Sequence, residues 1–200
     1  MQVKKEEVKS SILLSGEKEF LEKGFEKASI RQIVKNAGTT IGNFYNYFDN
    51  KEALFTELIQ EDLIKFRGFI DNHESYERPD FLWDMSNPKI WREVLGAFIK
   101  TIIPEFGKGL VLLLVSSEGT QYEESKYILI NEVRDHFIEH LQEHGTNNVS
   151  ISFAEVLAKQ FVQGFVDILR NYEDEEKNEL IVEHLLFYMI GAMGMIGDFQ

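Results

Sequence analysis

Cysteine is absent from the 200 residues. That excludes disulfides and thiolate chemistry and fits a reducing compartment, here the cytoplasm. Proline occurs only three times, at Pro79, Pro88 and Pro104. Basic charge is scarce: 21 Lys/Arg stand against 34 Asp/Glu, a formal net charge of −13, which argues against general nucleic-acid affinity. The most apolar runs, 109–115 and 185–197, are too short or too glycine-rich for a membrane span. The N-terminal MQVKKEEVKSSILLSGEKEF lacks the uninterrupted apolar core of a signal peptide. No nucleophile elbow is present, and Gly107-Lys108-Gly109 lacks both the spacing and the preceding strand of a phosphate loop. An enzyme is therefore not expected, nor a cofactor. With no strand alternation and no internal repeat, the fold class is all-α.

The charge that is present is unevenly placed. Residues 1–51 hold nine Lys/Arg against seven Asp/Glu, net +2, and residues 52–200 hold 12 against 27, net −15. A near-neutral head on an acidic body fits a protein that touches DNA at one end only. An acidic surface that merely keeps the chain soluble accounts for the same numbers.

The head centres on residues 29–55, SIRQIVKNAGTTIGNFYNYFDNKEALF. Ser29 suits a helix N-cap, and Ile30, Ile33, Val34 and Ala37 follow at helical spacing. Gly38 suits the helix end, because glycine takes positive φ without a Cβ clash. Thr40 can cap a second helix over about 41–47, and Asp49 or Asn50 a third. Helix, glycine turn and short helix make a helix-turn-helix, whose second helix enters the major groove. Phe44 and Phe48, four apart, share a face that packs inward; Asn43, Asn46 and Tyr47 point elsewhere. Gly42 lets the backbone approach a phosphate. A first helix over 3–23, ended by Gly24, would complete a three-helix unit. Its Lys4, Lys5 and Lys9 could approach the DNA backbone, or simply form a solvated face.

The run AGTTIGNFYNYFDNKEALF, from Ala37 to Phe55, resembles the recognition helix and following turn of TetR-family transcriptional regulators. The matching features are the glycine turn, Thr40, Gly42, Tyr45, Tyr47-Phe48, Lys51-Glu52 and Leu54-Phe55. The likeness reaches back through Ser29-Ile30 and Gly24-Phe25 to about Val8. Ile41 stands where that family often has lysine or another polar residue. The resemblance implies a repressor that binds a palindromic double-stranded DNA operator as a homodimer and is released by a small-molecule effector. Tyr45 and Lys51 would meet phosphates; Ser29, Thr40, Ile41, Gly42, Asn43, Asn46 and Tyr47 complete the expected DNA-binding set.

Two domains are expected: a helix-turn-helix domain over 1–50 and a helical ligand-binding and dimerisation domain over 51–200. Leu54, Leu58, Leu63, Phe66 and Ile70 carry one helix of about 25 residues from head into body. Residues 78–88 read as a turn-rich break, and 89–103 as a helix stopped at Pro104. Leu110–Val115 is apolar all round, which implies burial in the middle of the body. Phe66, Phe69, Trp83, Trp91, Phe98, Tyr122, Phe137, Phe161 and Phe165 are candidate walls of an effector pocket, although each also suits plain core packing. Glu118, after an apolar run, would be a partly buried carboxylate there. His136, His140 and His144 recur every four residues, but their acidic neighbours favour a solvated helix over a metal site. Two C-terminal helices carry more apolar surface than one face needs, which suggests a four-helix dimer bundle. The residues alone leave open a helical small-molecule-binding or protein-interaction module without specific DNA binding.

Overall fold

The computed structural model describes residues 2–72, 93–94, 96–97, 106–144 and 150–196. Among them every regular element is helical: α1 (Gln2–Lys27), α2 (Ile30–Asn36), α3 (Ile41–Phe44), α4 (Lys51–Asn72), α5 (Lys108–Val115), α6 (Ser125–His144), α7 (Ile151–Asn171) and α8 (Asp174–Ile196). No described helix is long and apolar enough to cross a membrane. The expected break at 78–88 and helix at 89–103 lie almost wholly outside the described residues. The chain divides into two compact units: Met1–Phe66 with Phe106–Lys126, and the described parts of Arg67–Glu105 with those of Tyr127–Gln200.

In the first unit α1 bends sharply at Gly24, whose φ of 73° is the left-handed value glycine tolerates. The bend turns Phe25 inward. Its ring stacks on Phe20 at 5.8 Å and meets Phe55 edge-on at 5.4 Å. Ile12, Phe20, Phe44, Leu54 and Phe55 are fully buried and tie α1, α3 and α4 into one core. Burial of each such side chain contributes about 1.5–3 kcal/mol.

The apolar helix α5 belongs to this unit, not to the middle of the body. Its Leu110–Leu114 are buried, but against α1 and α4. Two contacts fix it against α4. Asp62 accepts from the Gly107 N–H at 2.8 Å, placing a carboxylate at the start of α5, where the helix dipole favours one. Gly109 brings the two backbones together, since a Cβ there would stand 2.8 Å from the Leu58 carbonyl oxygen and strike Asp62. The strand of chain after α5 then returns to the head: the Phe25 N–H donates to the Ser116 carbonyl at 2.9 Å.

In the second unit α7 starts at Ser150, whose hydroxyl accepts from Phe153 N–H, and its Ala154, Ala158, Val162, Phe165, Val166 and Leu169 are buried. The imidazole of His184 on α8 lies over Gly164 of α7, so close that a Cβ there would force the ring to shift, and contacts the Phe161 carbonyl at 2.8 Å.

Candidate nucleic-acid interface

The turn between α2 and α3 is built by local chemistry. Gly38 has φ 65°. Its N–H donates to the Lys35 carbonyl at 3.2 Å and the Thr39 N–H to the Val34 carbonyl at 2.9 Å. This pair of bonds around a left-handed glycine is a Schellman closure. Thr40 then caps α3, accepting from the Asn43 N–H at 3.2 Å. The regular part of α3 stops at Phe44, three residues short of expectation. Asn46 and Tyr47 N–H instead reach back three residues, to the Asn43 and Phe44 carbonyls, in a tightened final turn.

Ser29 differs from expectation too. It occupies the N-cap position of α2 with an extended backbone, yet its hydroxyl makes no capping bond. Its N–H donates instead to the carboxylate of Glu19 at 3.2 Å, and Glu19 is only 6% exposed. A buried carboxylate ten residues upstream thus anchors the start of α2.

Packing decides which side of α3 faces out. Phe44 and Phe48 are buried with ring centroids 5.5 Å apart. Ile41 is 40% and Tyr45 54% exposed; Thr40, Gly42 and Asn46 are exposed, Asn43 and Tyr47 half-buried. Asn43 is held at both ends, its amide nitrogen donating to Thr39 Oγ1 at 2.8 Å and its Oδ1 accepting from Asn46 at 3.2 Å. A Cβ at Gly42 would meet nothing within 4 Å, so the protein itself does not require glycine there.

Lys51, expected to meet a phosphate, is engaged within the head. Its Nζ donates to the carbonyls of Phe25 at 2.6 Å, Glu26 at 3.2 Å and Ala28 at 3.1 Å. A lysine ammonium has three donors, so all are committed to the C-terminal end of α1, where carbonyls lack helical partners. The same Nζ stands 4.3 Å from the Phe25 ring centroid. Burial holds this ammonium below the ordinary lysine range, with Glu26 opposing the shift. The cap of α4 is Asn50, whose Oδ1 accepts from Ala53 N–H at 2.8 Å. Other cations surround the motif. Lys9 pairs with Glu57 at 2.5 Å, Lys5 lies over Tyr47, and Lys23, Arg31 and Lys35 line a surface groove beside Ser29. Arg31 and Lys35 of α2 are not among the residues expected from the sequence to bind DNA.

The expected pocket residues fall into both units. In the first, Phe66 is buried, and Tyr122 is half-buried with its hydroxyl 3.2 Å from Thr56 Oγ1. Glu118 is exposed in the turn after α5 and is not a partly buried carboxylate; Ser116 and Ser117 take the buried positions instead. In the second unit Phe69 and Phe137 are half-buried and Phe165 is buried. Phe137 and Phe161 meet edge-on at 6.0 Å, and Tyr188 packs on both rings. Trp83, Trp91 and Phe98 lie outside the described residues, as do the side chains of His140 and His144. His136 is half-buried on α6. Among the described residues no group of three or more His, Cys, Asp or Glu is placed to hold a metal ion.

Residues 12–58 match the family model described as bacterial regulatory proteins, tetR family. The chain is 43% identical over 61 residues to YdgC of Bacillus subtilis, described as an uncharacterized HTH-type transcriptional regulator, covering 30% of this chain and 31% of that protein. It is 25% identical over 191 residues to YvdT of the same organism, another uncharacterized HTH-type transcriptional regulator, covering 86% and 88%. A TetR family transcriptional regulator from Chloroflexus aurantiacus has a similar fold, with a TM-score of 0.57 at 15% identity over 96% of this chain and 95% of that one. The match lies on the α1–α4 head, where the exposed face of α3 was found. Residues 12–58 are thus similar to the N-terminal head of the tetR family of bacterial regulatory proteins.

Proposed function

We propose that the chain is a homodimeric repressor that binds a palindromic operator through α3 and is released by a small-molecule effector. The observation that carries the reading is the face of α3. Phe44 and Phe48 are turned into the core, while Ile41, Tyr45 and Asn46 are presented to solvent at a rigid, capped turn. Tyr45 would donate to a phosphate. Asn46 would meet base edges or backbone, with Asn43 fixing its amide. Ile41, apolar and exposed at the first position of the helix, would contact a thymine methyl group in the major groove. Thr40, Gly42, Tyr47 and Ser29 complete the proposed surface.

Dimerisation is proposed through α7 and α8. Its support is apolar exposure: Ile151 and Val156 on α7 are exposed, and Phe187 on α8 is 74% exposed. A two-fold dimer would present two heads to an inverted repeat. An apolar effector is proposed for the second unit, where Phe137, Phe161 and Tyr188 gather. Both α4 and α6 run from one unit into the other. The first unit ties α4 and the chain after α5 to the head through Asp62–Gly107 and Phe25–Ser116. A coupling of about 1–3 kcal/mol between effector and operator would make a useful switch. The test is salt-dependent binding of the full chain to the promoter DNA flanking its own gene. Preference over random DNA at moderate salt is expected, and equal binding to both would refute the proposal.

A further inference from the structure

Three side chains on and beside α3 form one hydrogen-bonded row. The Asn43 amide nitrogen donates to Thr39 Oγ1 at 2.8 Å. The Asn46 amide nitrogen donates to Asn43 Oδ1 at 3.2 Å. The backbone beneath the row is fixed as well: the Asn43 N–H donates to Thr40 Oγ1 and the Asn46 N–H to the Asn43 carbonyl, both at 3.2 Å. Thr39 and Asn43 are half-buried, and Asn46, at the end of the row, is exposed.

The two asparagines differ in what each has left to offer. A side-chain amide carries two N–H donors and one oxygen with two lone pairs. Asn43 is bonded through both its nitrogen and its oxygen, so turning its amide toward a base would break the row on both sides. Asn46 is bonded through one donor only. Its Oδ1 and its second amide N–H have no partner among the described residues. A free acceptor and a free donor on one amide complement adenine, whose major-groove edge shows the N7 acceptor beside the N6 amino donor. Guanine would set its O6 acceptor against the Asn46 oxygen, and thymine offers an acceptor and a methyl group.

We infer that Asn46 is the residue that selects adenine in the operator half-site, and that Thr39 and Asn43 are positioning residues that hold its amide and read no base. This rests on the DNA-binding reading and names the base that one residue of that face takes. Thr39 is outside the expected DNA-binding set, and its part in the row depends on its hydroxyl alone.

The experiment uses the full chain and selection of duplexes from a random library, by the wild type and by Asn46→Ala, Asn43→Ala, Thr39→Val and Thr39→Ser, with thermal melts confirming that each variant folds. Asn46→Ala is expected to lose the preference for adenine at one position of each half-site, by about 5- to 150-fold, and to keep the other positions. Asn43→Ala and Thr39→Val are expected to blur that same position and no other. Thr39→Ser, which keeps the hydroxyl, is expected to retain the preference. At that position 7-deazaadenine, which lacks the N7 acceptor, should weaken wild-type binding, whereas Asn46→Ala should bind modified and unmodified duplexes equally. An adenine preference untouched by Asn46→Ala, a different position lost in Asn43→Ala, or Thr39→Ser behaving like Thr39→Val would each overturn the inference. Should Asn43→Ala not fold, the Asn46→Ala and Thr39 arms decide. If the wild type selects no duplex, the DNA-binding reading fails and this inference fails with it; a selected operator whose positions respond otherwise overturns this inference alone.

Discussion

The Lys51 ammonium donates to the Phe25 carbonyl at 2.6 Å and stands 4.3 Å from the centroid of the same residue's ring. Phe25 follows the Gly24 bend, and its own N–H donates to Ser116. One residue therefore joins the end of α1, the start of α4 and the chain after α5. Lys51→Met should lower unfolding stability by about 1–3 kcal/mol, since two partly buried carbonyls and one exposed carbonyl lose a charged donor. Urea denaturation followed by far-UV circular dichroism measures it. An unchanged midpoint would show that the three bonds contribute nothing net.

Gly109 and Gly42 should respond to alanine in opposite ways. Gly109→Ala drives a Cβ into the Leu58 carbonyl and Asp62 and should cost about 1–3 kcal/mol as α5 is pushed off α4. Gly42→Ala meets nothing and should hold or raise stability by up to about 1 kcal/mol, alanine being the better helix former. Its operator affinity should fall if the backbone there lies against a phosphate. Thermal melts of both variants, with DNA titrations of the second, check this; a destabilised Gly42→Ala would contradict the open space seen around that glycine.

Ile41 should read thymine. Replacing operator thymines by deoxyuridine removes only the methyl groups, so wild-type affinity should fall by about 1 kcal/mol or more at a contacted position. Ile41→Ala should bind both duplexes equally. Equal binding of the two duplexes by the wild type would remove the methyl contact from the account.

Alkaline stability should depend on Tyr188. Burial raises its phenol above the ordinary tyrosine value. The folded state thus holds its proton at a pH where the unfolded chain has released it. This contribution is complete below about pH 10 and is lost as pH rises through the folded value. Melting temperatures taken on either side of about pH 10 should fall less steeply for Tyr188→Phe than for wild type. Identical slopes would place the loss on other groups.

Much of the head was legible because its determinants are local. Gly38 as the left-handed closure, Thr40 as cap, and Phe44 with Phe48 as the inward pair each follow from spacing within a few residues. What was misread depended on partners far along the chain. Ser29 looked like a self-sufficient cap, but the buried Glu19 takes its N–H. Lys51 looked like a surface cation, but the Gly24 bend turns α1's carbonyls toward it. The apolar run in α5 announces burial without saying against what. Asp62 and Gly109 decide that, and neither residue reveals its partner from its own neighbourhood. The effector pocket stayed least legible, since aromatics at helical spacing serve a core and a cavity equally well.

The central claim is that the exposed face of α3 reads DNA as one half of a symmetric pair. The most direct measurement is selection of duplexes from a random library by the full chain, followed by sequencing and repetition with Tyr45→Ala. The account predicts an inverted repeat whose half-sites are separated by about one helical turn, 10–10.5 base pairs, or a multiple of it, with enrichment strongly reduced for Tyr45→Ala while the variant still folds. Enrichment of no sequence over the starting library, or an inverted repeat recovered equally well by Tyr45→Ala, would contradict it.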